Sequence, residues 1–157
     1  MDAQLKSTSH TMGTRKSAPT DTRGFQDGAV GAPVEGRRAV AVFSADESIM
    51  KLVADLMIDS WVVENCTDPH EARAFLVKPG VRMVVIDDEA IEESTRAWLL
   101  GQVHMRASQA LIAYIAAIHS PEAERRARAY SVQYYTSKPV DRERMLRVLH
   151  SFARATH

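Results

Sequence analysis

The sequence is short of cysteine, of long apolar runs and of net charge, and each shortage removes a class of protein. Cys66 is the one cysteine among 157 residues, so no internal disulfide can form and a reducing compartment fits. No run of eighteen or more apolar residues occurs, which excludes a transmembrane helix. The N-terminal stretch lacks the apolar centre of a signal peptide, so a cytoplasmic protein is the expectation. Twenty basic and twenty acidic residues cancel. Overall charge therefore makes no case for nucleic acid or an anionic membrane as partner. Neither G-x-G-x-x-G nor G-x-x-x-x-G-K-[ST] is present, which argues against a nucleotide enzyme built around a Gly-rich phosphate loop. The six histidines are scattered, with no metal-like pair on one helix face.

What is present suits one folded domain behind a tail. The hydrophobic fraction of 45% and the charged fraction of 25% are those of an ordinary soluble domain with enough chain to bury a core. Residues 1–36 are rich in Ser, Thr, Gly, Pro and Ala and show no helical or strand period. Such a segment cannot offset its ordering entropy by burial, so it reads as a disordered arm, either a plain tail or a docking peptide. Residues 37–157 read as the folded domain.

Within that domain, short apolar runs alternate with amphipathic stretches. The runs at 38–43, 61–66, 81–87, 110–117 and 132–136 predict strands. The stretches at 46–60, 68–80, 92–105, 120–130 and 141–155 predict helices. Ile49, Leu52, Val53, Leu56 and Met57 share one face of the first helix. Trp98, Leu99 and Val103 point inward from the third, and Met145, Leu146, Leu149 and Phe152 from the fifth. Asp68, Ser120 and Asp141 are predicted N-caps, Glu71 stands where a capping box needs it, and Pro79-Gly80 stops the second helix. Strict alternation implies right-handed crossovers and an α/β fold, a doubly wound five-stranded parallel sheet of flavodoxin-like order. In such a sheet the working crevice lies beyond the carboxyl ends of the strands. The residues at those ends are Ser44-Ala45-Asp46, Asp87-Asp88, Ala116-Ala117 and Ser137-Lys138.

Asp87 closes the third strand in "MVVIDD", and Lys138 follows the fifth in a Lys138-Pro139 pair. By these residues, their order and their spacing, the region from about 38 to 155 resembles the receiver domain of two-component response regulators, the CheY-like fold. The resemblance implies a phosphoacceptor aspartate at Asp87, a phosphate-contacting lysine at Lys138 and a switch aromatic at Tyr135. It also implies partners: a histidine kinase, a downstream effector, or a second copy docking on the face made by the fourth helix, fifth strand and fifth helix. Arg125, Arg126, Tyr134, Arg142 and Arg147 are the interface candidates on that face.

The sequence departs from the family pattern at the places that do its chemistry. Two acidic residues that hold a divalent cation are replaced by Ser44 and Ala45, with Asp46 one position late. The hydroxyl residue after the fourth strand is replaced by Ile115 or Ala116, and the glycine before the fifth strand by Ser131. The Pro and Gly usual after the phosphoacceptor are absent from "DDEAIEES". A phosphoryl donor brings negative charge to a carboxylate, and Mg2+ normally offsets that repulsion. Asp46, Asp87 and Asp88 remain as weak metal candidates, so no cofactor is expected beyond weakly held Mg2+. The expected function is thus a stand-alone, atypical receiver, not an enzyme, signalling through protein contacts with impaired Mg-dependent phosphorylation. Alternatives remain: a working phosphoacceptor at Asp87, a flavodoxin-like small-ligand domain using the crevice around Ser44, Ala116 and Tyr135, or nucleic-acid binding through the arginines of the last helices. The last is disfavoured, because Glu122, Glu124, Asp141 and Glu143 interleave with those arginines, which suits a protein interface better than a phosphate backbone. Cys66, with no base nearby in sequence, reads as a small buried hydrophobe.

Overall fold

The computed structural model describes residues 37–56 and 61–156. The arm expected at 1–36, and the end of the first expected helix with Met57, lie outside the described residues. The elements run β1 (Arg38–Phe43), α1 (Glu47–Leu56), β2 (Trp61–Asn65), α2 (Ala72–Leu76), β3 (Val81–Asp87), a 3-10 turn (Asp88–Ala90), α3 (Glu93–Arg106), β4 (Leu111–Ala116), α4 (Pro121–Ala129), β5 (Tyr134–Ser137) and α5 (Arg142–Ala155). The strands form one parallel sheet in the order β2-β1-β3-β4-β5. The winding direction reverses between β1 and β3, so the crevice opens beyond Phe43 and Asp87.

The sheet is apolar on both faces because both are covered. On one side Val84 and Ile86 of β3 pack with Leu76, Leu99 and Ala127 from α2, α3 and α4. On the other, Met83 and Val85 pack with Leu52, Val53, Met145 and Leu149 from α1 and α5. This alternation along β3 is the two-residue period of a strand. Of the residues expected inward on α3 and α5, Leu99, Val103, Met145 and Leu149 are buried, while Trp98, Leu146 and Phe152 are half-buried. Among the described residues no helix is long and apolar enough to cross a membrane.

Two local expectations are corrected. The helix expected over 68–80 shrinks to Ala72–Leu76, capped by Glu71 without a side-chain bond. Asp68 instead closes a turn, its carboxylate accepting from the His70 N–H at 2.8 Å, and the chain leaves helical geometry before Pro79, as residues preceding proline tend to. The fifth strand begins at Tyr134, two residues late. Ser131 turns the chain through a φ of 63°, and the Gln133 side chain accepts the Ile112 N–H at 2.6 Å before ladder pairing starts. Ser131 thus holds the left-handed conformation for which glycine is the ordinary choice.

Candidate functional site

The carboxyl ends of β1, β3 and β5 bring Ser44, Asp87 and Lys138 together. Asp87 is 1% exposed, a burial that a carboxylate sustains only with full pairing. Its Oδ2 accepts from Ser44 Oγ at 2.8 Å and lies 3.0 Å from Lys138 Nζ. Its Oδ1 accepts from the Glu89 N–H at 3.3 Å, closing the 3-10 turn. Both oxygens are therefore engaged by the chain itself.

Lys138 gathers two further acids. Its Nζ lies 3.7 Å from Asp46 Oδ2 and donates to Glu89 Oε2. Partial burial pulls the ammonium's pKa down, but the bonds to Glu89 and Asp87 outweigh it and hold the pKa above the ordinary lysine value. The Lys138–Pro139 peptide is cis. Asp46 serves mainly as the N-cap of α1: its Oδ1 accepts from Ser48 Oγ at 2.6 Å and from the Ser48 N–H at 2.9 Å. Those two bonds, helped by Lys138, lower its pKa.

Asp88 does not belong to this group, which corrects its place among the metal candidates. It opens the 3-10 turn that follows β3, and its partners are on β4, the β4–α4 loop and α3 instead. Its Oδ1 accepts from the Ala117 N–H at 2.6 Å and its Oδ2 from Tyr114 Oη at 3.2 Å, with Arg96 Nη1 at 3.9 Å. The remaining donors do not fit Mg2+, which takes carboxylates in near-octahedral array. Asp87 is sealed by Ser44 and Lys138, Asp46 is spent on its helix, and an ammonium sits between them. Among the described residues no three acidic, His or Cys side chains form a metal-holding group.

Tyr135 is half-buried and lies flat on Tyr114, ring centroids 5.8 Å apart and planes 7° apart, with His119 edge-on at 6.0 Å. Its hydroxyl is buried and unpartnered among the described residues. Burial raises its pKa, helped by the Asp88 and Glu124 charges and opposed by the nearby Ser120 backbone. Tyr114's pKa is also raised, by burial and by the Asp88 charge. The interface candidates are divided. Arg125 and Arg126 are exposed on α4, and Arg147 is exposed on α5 beside Glu143 at 3.9 Å. Arg142 instead reaches across to Asp55 of α1 at 3.5 Å. Tyr134 is corrected outright, since it is a core residue in the α1–α5 layer, 9% exposed.

Three participants escaped the sequence reading: the Ser44 bond to Asp87, Glu89 as a partner of Lys138, and the Asp88–Tyr114 pair. The acidic run "DDE" was the available signal for Glu89, while Tyr114 was hidden inside a strand that reads as apolar throughout.

The fold defined by this sheet order and its five flanking helices is that of response-regulator receiver domains, the CheY-like fold. No family model matches the sequence, and no curated protein matches it. Solved structures do. A response regulator from Thermotoga maritima is 16% identical, with a TM-score of 0.62, over 74% of this chain and 97% of that one. A CheY-like receiver domain protein from Methanospirillum hungatei JF-1 is 14% identical, with a TM-score of 0.64, over 76% and 96%. The chemotaxis protein CheY4 of Vibrio cholerae is 22% identical, with a TM-score of 0.60, over 74% and 98%.

Proposed function

We infer that this chain is an atypical receiver, a non-enzymatic module of two-component signalling that acts through protein contacts, with Asp87 kept as a structural acid. The observation that carries the reading is the closure of Asp87, whose two oxygens are held by Ser44, Lys138 and the Glu89 backbone. A phosphoryl acceptor needs a free oxygen and a counter-cation for the incoming charge. The Asp87–Lys138 pair alone favours a working phosphoacceptor; the donor set around it weighs against one. A cavity of about 60 Å³ lies beside Ser44, Ala45 and Cys66, well under the roughly 300–1,000 Å³ of small-molecule sites. It leaves a small ligand no room on the Ser44 side of the flavodoxin-like reading, and Ala116 and Tyr135 do not line it. The partner is a signalling protein or a second copy, met on the exposed arginines of α4 and α5.

The test is incubation of the full chain with acetyl phosphate and Mg2+, read by intact mass. The reading predicts no phosphoryl adduct. An adduct of one phosphoryl group lost in Asp87→Ala would overturn it.

A further inference from the structure

Asp88 has no part in the reading above, yet it is a buried carboxylate, 4% exposed, with an unusual set of partners. It accepts the Ala117 N–H, the first backbone donor past β4, at 2.6 Å. It accepts the hydroxyl of Tyr114, whose ring is the surface on which Tyr135 lies. Arg96 of α3 donates Nε to the Asp88 carbonyl at 3.1 Å and to the Ile91 carbonyl at 3.0 Å, fixing the turn that carries Asp88. Three residues past Ala117, Ser120 caps α4 through the Ala123 N–H at 3.0 Å. Between them Ile118 is 83% exposed and His119 packs on Tyr135.

We propose that Asp88 is the positioning residue of the β4–α4 loop, latching Ala117 and Tyr114 so that Ile118, His119 and the Tyr135 ring are held in one fixed arrangement. The latch holds the loop independently of Asp87; this second part rests on Asp87 being a structural acid. The physical basis is that a buried carboxylate accepting a backbone N–H makes a strong, directional bond, and leaving either side unpaired is costly.

Amide hydrogen exchange on the full chain tests it. In Asp88→Ala, exchange at Ala117 should rise by about 10- to 100-fold over the change in β1 and β3 amides, with shifts at Ile118, His119 and Ser120. Asp88→Asn, a weaker neutral acceptor, should show the same pattern at smaller amplitude, and it decides the matter if the alanine variant does not fold. A purely structural role would speed Ala117 only in step with the β1 and β3 amides in both variants, and that result overturns the latch. Movement of the Ala117–Ser120 amides on adding beryllofluoride and Mg2+ to the wild type would overturn the independence from Asp87, whatever the exchange data show. A phosphoryl adduct without such movement would sink the structural reading of Asp87 and leave the latch standing.

Discussion

Ser44 at the end of β1 donates its hydroxyl to Asp87 at the end of β3, 2.8 Å away and out of contact with solvent. A hydroxyl thus stands where the resemblance led one to expect an acid. The difference sets the character of the site. A second carboxylate there would repel Asp87 and call for a cation from solution, whereas a hydroxyl satisfies Asp87 and leaves Lys138 as its counter-charge. The first prediction concerns that pair. Lys138→Met strands a buried carboxylate and should cost about 3 kcal/mol. Adding Asp87→Asn should recover part of that loss, with a coupling of about 1–3 kcal/mol. Urea unfolding of the two single variants and the double variant measures it, and additive losses would mean that the pair is not a unit.

Asp46 should behave as a helix cap first and a charge second. Asp46→Ala should cost about 1 kcal/mol, and Asp46→Asn much less at neutral pH, because asparagine caps as well as aspartate. The folded-state pKa of Asp46 is lowered. Its charge therefore contributes stability that is complete above the ordinary carboxyl value and lost as pH falls through the lower folded value. The stability difference between wild type and Asp46→Asn should shrink over that acid range. A difference that grows there would contradict the assignment.

Ser131 holds a φ of 63° without being glycine. Relief of that conformation by Ser131→Gly should raise stability by about 0.5–1 kcal/mol, after the entropy glycine adds to the unfolded chain. Gly80 is the opposite case. It has a φ of 105°, and a Cβ there would meet the Arg37 carbonyl oxygen at 2.6 Å. Gly80→Ala should cost about 1–3 kcal/mol. Thermal melts of both variants check the paired signs.

Burial and the nearby Glu64 charge push the Cys66 thiol up to about 11. Since the thiolate is the nucleophile, alkylation at pH 8 should be slow in the folded protein and speed up when urea unfolds it. Fast labelling of the native state would show a Cys66 environment other than the one described.

The sheet was legible in the sequence because central parallel strands are buried on both faces and read as unbroken apolar runs; "RAVAVF" and "VRMVVID" became β1 and β3 with their expected bounds. The second helix was less legible, since Asp68, Pro69 and Glu71 carry helix-start chemistry that a single turn also uses. At the site, Asp87 and Lys138 were legible because strand ends place them. Asp88 was misplaced because β3 ends at Asp87 and the 3-10 turn that follows carries Asp88 away from Lys138 and toward Tyr114. Tyr134 went astray because membership of β5 did not reveal that its ring is buried in the α1–α5 layer.

The most direct test of the central claim is an amide NMR titration of the full chain with Mg2+ and then with beryllofluoride, an acyl-phosphate mimic. A closed, structural Asp87 predicts that the amides of Asp87, Lys138 and Tyr135 stay in place at millimolar concentrations of both. Shifts at those three residues that disappear in Asp87→Ala would contradict it and make the site a working phosphoacceptor.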